Sequence, residues 1–343
     1  MGGHALDKGD AGGRADASGT VRSDRAGLAA SARAALVREI ELSGAWAADP
    51  VWREVFAAVP RHLFVPYYFV GAVGGYERRW GESPDPAERE RWLRGAYADI
   101  PLATRMRDGE LVSSSSQPSL MATMLAELHI EDGDRVLEIG AGTGYNAALI
   151  AHRLGDDDLV TTVDLDPEIT ESARRHLAAA GYRPVVVTGD GARGVPERAP
   201  FDRIIATCAL TSVPRAWLAQ CRPGARILTP LATGLVVLTV RDAGHAEGRF
   251  LYTPAYFVPL RGGDRPGPGS APLGGVPHRA RESDLFRFLL ALTRASLDPQ
   301  EAYALWERED MPQRDRYGIT VGESGQWAWL DDPEGPYAWP LTG

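Results

Sequence analysis

Cysteine is scarce: Cys208 and Cys221 are the only two in 343 residues, too few for a disulfide framework. Cys208 falls in an apolar run and Cys221 in a helix-like one, so both read as small buried hydrophobes of a reducing compartment. No run of about 18 apolar residues exists, so no transmembrane helix is expected. Met1–Ser23, rich in Gly, Ala and Asp, lacks an apolar signal-peptide core; the expectation is a cytoplasmic protein without a membrane partner. Basic excess is lacking too, with 37 Lys and Arg against 46 Asp and Glu and a net charge of -9. That balance argues against a nucleic-acid partner held through its phosphates but leaves a neutral or basic peptide open. The seven histidines (His4, His62, His129, His152, His176, His245, His278) show no ligand spacing with one another or with the cysteines, so no metal is expected. There is no internal repeat.

What is present points to one α/β core with additions. At this length, 44% hydrophobic residues can bury a sizeable core and support an appended domain. Residues 1–25 hold too little apolar surface to offset ordering entropy and read as a disordered tail. Helical spacing of Leu28, Ala32, Leu36, Ile40 and Leu42, then a second helical pattern from Asp49 to Pro66, open an N-terminal region, 26–134. Within it, 67–94 is a polar insertion with a short helix near Ala87–Arg94. From Arg135 the pattern becomes regular. Strand-like runs at Arg135–Ile139, Leu159–Asp164, Pro184–Thr188, Asp202–Thr207, Ala225–Thr229 and Leu235–Val240 alternate with helix-like Tyr145–Arg153, Pro167–Ala180 and Ser212–Cys221. This predicts a Rossmann-like, mostly parallel sheet with helices on both faces over 135–262, with Arg249–Leu260 as an antiparallel edge. Residues 263–275 are a Pro- and Gly-rich linker. The remainder, 276–343, predicts a small C-terminal α+β domain: helices at Ser283–Arg294 and Pro299–Glu307, then a hairpin of Tyr317–Val321 and Gln326–Leu330.

The sharpest motif is Val136-Leu137-Glu138-Ile139-Gly140-Ala141-Gly142-Thr143-Gly144-Tyr145. An apolar strand ends in three glycines spaced by two, then a helix begins. Glycines allow the sharp turn and close backbone approach to a ligand. A dinucleotide fingerprint would read Gly-x-Gly-x-x-Gly and seat a pyrophosphate on the helix N-terminus. Here Glu138 would repel a phosphate but suits the cationic methionine end of S-adenosyl-L-methionine. About 20 residues on, Asp164 ends the second strand, where a carboxylate can accept from both ribose hydroxyls; Asp166 is instead a helix cap before Pro167. After the third strand, Asp190 and Gly191 stand where a carboxylate can accept from the adenine amino group. The expected donor site is thus Glu138, Gly140, Gly142, Gly144, Asp164, Asp190 and Gly191, bordered by Tyr145, Leu165 and Gln117. A nicotinamide or flavin enzyme is the alternative. The fold expected is that of a class I methyltransferase, with S-adenosyl-L-homocysteine as product.

Further segments carry a more specific resemblance. Val59-Pro60-Arg61-His62-Leu63-Phe64-Val65-Pro66, Ala96–Leu102, Ser116-Gln117-Pro118-Ser119, Val136–Tyr145, Gly189-Asp190-Gly191, Ala199-Pro200-Phe201-Asp202 and Phe257-Val258-Pro259-Leu260 follow one another as in protein-L-isoaspartate O-methyltransferases. The chain resembles that family over about residues 50–262. The resemblance implies that a Thr-Ile-Ser-x-Pro segment forms the acceptor site, with a serine hydroxyl on the isoaspartyl carboxylate. Ser114-Ser115-Ser116-Gln117-Pro118 is the matching stretch, with Ser116 on the family's serine and Ser114 on its threonine; Ser115 lies between them. Two departures concern the acceptor. The family's Pro-Leu-Pro-x-Gly-x-Gly-Gln approach reads Pro101-Leu102-Ala103-Thr104-Arg105-Met106-Arg107 here, and Ser119 replaces an aromatic residue or His. On residues alone the serines read as a polar loop with a helix cap; the resemblance turns them into an acceptor site.

The implied activity is carboxyl O-methylation of an Asp or isoAsp side chain in a peptide or protein, the ester then closing to a succinimide (aspartimide). The insertion and the tail, which holds Trp306, Trp327, Trp329 and Trp339, are additions to that resemblance. Similar enlarged members are associated with maturation of ribosomally made peptides (lanthipeptide or graspetide type), so a cyclised precursor peptide is the expected partner. On this reading Trp327 and Trp329 form a platform that grips it; otherwise they anchor the tail to the core. General isoaspartyl repair and a non-catalytic donor- or peptide-binding module are the alternatives.

Overall fold

A computed structural model describes residues 13–261, 273–294 and 296–341. Helix α1 (Gly13–Ser43) buries Leu36, Val37 and Ile40, and α2 (Trp52–Ala58) buries Trp52, Val55 and Phe56. α1 begins inside the stretch 1–25 expected to be a disordered tail; residues 1–12 lie outside the described ones, as does most of the linker, 262–272.

The insertion at 67–94 holds more structure than its polar composition suggests. β1 (Tyr67–Ala72) and β2 (Gly75–Trp80) form an antiparallel hairpin, followed by α3 (Pro86–Ala96) with Asp85 as its cap. Gly74, at φ 84°, closes the turn; Gly74-Gly75 is a hairpin signal that sequence reading passed over. A second hairpin joins β3 (Leu102–Arg107) to β4 (Glu110–Ser115) through Asp108 and Gly109, at φ 54° and 82°. Positive φ at both residues is the type I′ geometry that Asp-Gly favours. The four strands form one sheet in the order β2-β1-β3-β4. The serine run is therefore mostly strand rather than loop: Ser113–Ser115 end β4, and Ser116-Gln117 lead into α4 (Pro118–Leu128).

The core follows as β5 (Val136–Ile139), α5 (Tyr145–Leu154), β6 (Val160–Asp164), α6 (Pro167–Ala180), β7 (Val185–Thr188), β8 (Phe201–Ala206), α7 (Arg215–Ala219), β9 (Cys221–Leu231), β10 (Gly234–Asp242) and β11 (His245–Pro254). Strands β7-β6-β5-β8-β9 are parallel neighbours in that order; β10 and β11 continue antiparallel. β5 has no solvent-facing residue, as expected of a parallel strand covered on both faces. The strand order reverses between β5 and β8, the switch point outside whose carboxyl ends open α/β sheets bind ligands. Asp166 caps α6 by accepting from Glu168 N at 2.9 Å, with Pro167 at N1.

The tail forms α8 (His278–Glu282), α9 (Asp284–Thr293), α10 (Pro299–Arg308), β12 (Tyr317–Gly322), β13 (Gly325–Leu330) and β14 (Ala338–Pro340). Ser283 caps α9, and Asp298 with Glu301 makes a reciprocal capping box on α10. β12 pairs with β11, so a single ten-stranded sheet runs from the core through the tail. Trp306, Trp329 and Trp339 are buried. Trp329 lies across its strand partner Gly318, donates to Thr320 Oγ1 at 3.0 Å and is covered by the Arg249 guanidinium 4.7 Å from its ring. The expected platform of Trp327 and Trp329 is thereby corrected at Trp329, while Trp327 is half-buried. Gly318 has no side chain, so the Trp329 indole fills that space and acts as an anchor. Among the described residues no helix is long and apolar enough to cross a membrane, and no cluster of His, Cys, Asp and Glu could hold a metal.

Candidate active site

The glycine loop after β5 turns as its sequence requires. Gly140 sits at φ 100°, and a Cβ there would stand 2.6 Å from Thr207 Oγ1. Gly144, at φ 85°, caps α5 against Leu177 on α6. At Gly142 a Cβ would meet the Ser114 carbonyl oxygen at 3.6 Å, so the end of β4 lies directly against the loop. Between them opens a cleft. Its walls are Val112–Ser116, the stretch Glu138–Thr143 with Tyr145 and Asn146, Asp164–Leu165, Gly191, Thr207–Cys208 and the returning segment Val258–Arg261. That segment is held by Ala209 N donating to Val258 O and Leu260 N donating to Ala209 O, both at 2.9 Å.

Most of the residues singled out in the sequence meet here: Ser114, Ser115, Ser116, Glu138, Gly140, Gly142, Tyr145, Asp164, Leu165 and Gly191 all line the cleft. Three do not. Gly144 lies behind the wall as a helix cap. Asp190 turns Oδ1 back to Ala192 N at 2.9 Å, capping a 3-10 turn, and the lining residue beside it is Gly191. Gln117 points away, donating from Nε2 to Asp99 Oδ2 and to Ser119 Oγ, each at 3.1 Å. Sequence reasoning gave no role to Asn146, Thr207 or Arg261; the distant part of the wall can be found only once β8 and the post-β11 segment are known to converge.

Glu138 is fully buried. Asn146 Nδ2 donates to Oε1 at 2.8 Å and Thr162 Oγ1 to Oε2 at 2.6 Å. Burial pushes its carboxyl up to about 7, outweighing both hydrogen bonds. Asn146 Oδ1 beside it is buried with no partner. Asp164 accepts from Gly142 N at 3.3 Å on Oδ2, and from Asp166 N at 3.2 Å and Arg261 at 3.0 Å on Oδ1.

Three sequence segments converge on the wall that carries the serine run. Arg61, fully buried in the turn after Pro60, donates to Ala96 O and Ala98 O at 3.0 Å, Ile100 O at 3.3 Å, Ser115 Oγ at 3.3 Å and Ser116 O at 3.1 Å. It ties the Ala96–Leu102 motif to the serine run and engages the Ser115 hydroxyl. Asp99 accepts from Ser119 N at 2.8 Å, capping α4 from a distance. His62 makes no metal site; its Nδ1 lies 2.7 Å from Tyr97 Oη, and burial pushes its imidazolium down to about 4.

The family model for protein-L-isoaspartate(D-aspartate) O-methyltransferases matches residues 86–264, more than half of the chain. The chain belongs to this family. A protein-L-isoaspartate O-methyltransferase of Hyperthermus butylicus is 36% identical over 67% of this chain and 89% of its own length. One of Archaeoglobus fulgidus is 35% identical over 60% and 82%. Two solved structures share the fold. A protein-L-isoaspartate O-methyltransferase superposes at TM-score 0.59 with 23% identity, covering 88% of this chain and all of its own. A putative one from Plasmodium falciparum, in complex with S-adenosyl-L-homocysteine, reaches 0.50 with 14% identity, covering 66% and 97%. A share of 88% exceeds what residues 50–262 alone can supply, so the likeness in fold extends beyond that segment.

As a member of this family the chain is an S-adenosyl-L-methionine-dependent methyltransferase, and its cleft fits that donor. Two carboxylates, Glu138 and Asp164, and the orphaned Asn146 oxygen suit a cationic amino acid end and a pair of ribose hydroxyls; a pyrophosphate would be repelled.

The raised Glu138 carboxyl gives a signed expectation. In the protein without donor, the proton on Glu138 contributes stability that is present below about 4.5 and lost as pH rises through about 7, on the order of 3 kcal/mol. A ligand with an ammonium group favours the ionised form. S-adenosyl-L-homocysteine affinity is therefore expected to rise up to about tenfold per pH unit below 7 and to level off above it. Calorimetric titration between about pH 5.5 and 8.5 measures this; Glu138→Gln should flatten the profile, and a flat wild-type profile would count against the contact.

Proposed function

We propose that this enzyme methylates the side carboxylate of an isoaspartyl or aspartyl residue in a peptide or protein, at the wall formed by Ser114 and Ser116. The observation that supports this most is the seating of the Ser114 carbonyl against Gly142, which brings the acceptor segment onto the donor loop. In this reading Asp164 holds the ribose hydroxyls, Glu138 with Asn146 faces the ammonium end, and the Gly140–Thr143 backbone and Gly191 contact the rest. The bound donor supplies an electrophilic methyl group: a carboxylate O–CH3 bond forms, the S–CH3 bond breaks, and its electron pair stays on sulfur.

A carboxylate with a reference pKa near 4 is ionised at neutral pH, so no general base is needed. The residues have to orient one oxygen and exclude water, which can supply roughly 7–11 kcal/mol of the barrier. Ser116, and Ser114 beside it, orient the carboxylate by donating hydrogen bonds. In the resulting ester the following backbone nitrogen attacks the carbonyl, methanol leaves, and a succinimide forms. Its hydrolysis gives a mixture of aspartate and isoaspartate.

Ser116→Ala is expected to lower turnover about 10- to 100-fold while S-adenosyl-L-homocysteine affinity stays within about twofold. Loss of donor binding in that variant would place the serine on the wrong side of the cleft. A dedicated, cyclised precursor peptide is the second reading of the substrate. The enzyme's approach strand β3 departs from the family's pattern, with Arg105 and Arg107 paired across to Glu168 and Asp166. Efficient methylation of unrelated isoaspartyl peptides would decide for general repair; their refusal beside turnover of a dedicated precursor would decide for maturation.

A further inference from the structure

We infer that the buried Arg61 guanidinium positions the acceptor and makes the site select a carboxylate over a carboxamide. The inference rests on the reading that the acceptor lies at Ser116. Arg61 is completely buried, yet all its hydrogen bonds go to neutral groups: four backbone carbonyls within 3.3 Å, the Ser115 hydroxyl, and Ser115 O at 3.5 Å. Its Nε has no partner. Buried charges are normally paired, because an isolated one is costly. Asp99, the acid that acts on it through space, turns both oxygens to Ser119 N and Gln117. Burial lowers its pKa to about 10, so it stays charged at neutral pH.

Arg105, Arg107 and Arg261 are each paired with Asp164, Asp166 or Glu168. Among the described residues around the serine run, Arg61 is thus the cation with no acid bonded to it. Its Nη2 lies 3.1 Å from the carbonyl of Ser116, the residue at which the acceptor carboxylate is to be held. A scaffold for carbonyls needs donors; it does not need an unneutralised charge. From behind the Ser115–Ser116 wall the charge acts through space on an anionic side chain in the cleft, and a carboxamide of the same shape gives it none.

Carboxylate charge disappears in the transition state, so a nearby cation favours the bound substrate more than the transition state. Its loss should therefore raise KM and weaken acceptor binding, with kcat unchanged or higher. Displacing Ser116 would instead lower kcat.

The test measures binding of an isoaspartyl peptide and its isoasparaginyl analogue to the protein saturated with S-adenosyl-L-homocysteine. Wild type is expected to prefer the carboxylate about 10- to 50-fold. Arg61→Lys, which keeps the charge but loses the fork, should retain most of that preference. Arg61→Gln should reduce it to within about threefold and raise KM without lowering kcat. Equal binding of the two peptides by wild type, or equal preference in the Lys and Gln variants, overturns the inference. Should Arg61→Gln fail to bind S-adenosyl-L-homocysteine, the wild-type and Lys preferences decide. Ser116→Ala separates the two levels: unchanged turnover there sinks the acceptor site itself, whereas lowered turnover with identical Lys and Gln variants sinks only the role of Arg61.

Discussion

Asp164→Ala is expected to weaken S-adenosyl-L-homocysteine binding about a hundredfold. Asp164 ends β6 with its carboxylate lining the cleft, and its two oxygens can each accept one ribose hydroxyl. A hydrogen bond to a charged group contributes about 1.5–3 kcal/mol, so losing the pair costs roughly 3 kcal/mol or more. The fold should survive, because the partner left behind, Arg261, is partly exposed and can turn to Asp166, 4.0 Å away. Asp166→Ala is the control two residues on. It removes the α6 cap at a cost of about 1 kcal/mol in stability and should leave donor affinity nearly unchanged. Calorimetry of both variants checks this; equal loss in the two would mean that the carboxylate at position 164 acts on local structure and not on the ligand.

Gly140→Val should cost about 3–5 kcal/mol of stability, seen as a Tm lower by roughly 10 °C, and should abolish donor binding. At φ 100° a β-branched residue is strained, and its Cβ meets Thr207 Oγ1, which donates to Gly140 O at 2.9 Å and ties β8 to the loop. Gly142→Ala should behave differently. Its φ of 50° is left-handed helical and tolerable to alanine at about 1–2 kcal/mol, and its Cβ would meet nothing closer than 3.6 Å. That methyl would nonetheless project between the donor loop and Ser114, so donor affinity should fall while Tm drops only by about 3–6 °C. A thermal melt run with and without S-adenosyl-L-homocysteine separates the two effects.

The core was legible because its signals are local. Apolar runs such as Val160–Val163, the caps Asp166 and Ser283, and the glycine spacing at 140–144 each act within a few residues. The sheet beyond β11 was not. That β12 would pair with β11 depends on a partner about 70 residues earlier, and a free hairpin and an added sheet edge have the same sequence pattern. The two N-terminal hairpins were missed although Gly74-Gly75 and Asp108-Gly109 announced them, since polar β2 with Glu77, Arg78 and Arg79 has no buried face to show. At the site, strand-end residues Glu138 and Asp164 could be placed by motif order. Gln117 and Asp190 could not, because which way a side chain turns was decided by neighbours elsewhere: Asp99 draws in Gln117, and the Ala192 amide holds Asp190. Arg61 stood inside a recognised motif, but its reach to carbonyls 35 to 55 positions away is visible only in three dimensions.

The claim on which the rest depends is that an isoaspartyl or aspartyl carboxylate placed at Ser116 receives the methyl group. It is tested by incubating the full chain with methyl-labelled S-adenosyl-L-methionine and paired peptides carrying isoaspartate, aspartate or asparagine at one position, then measuring base-labile label and released methanol. The account predicts label on a carboxylate-bearing peptide, none on the asparagine peptide, and one S-adenosyl-L-homocysteine formed per ester. Label that resists mild base, or equal label on the asparagine peptide, would contradict it.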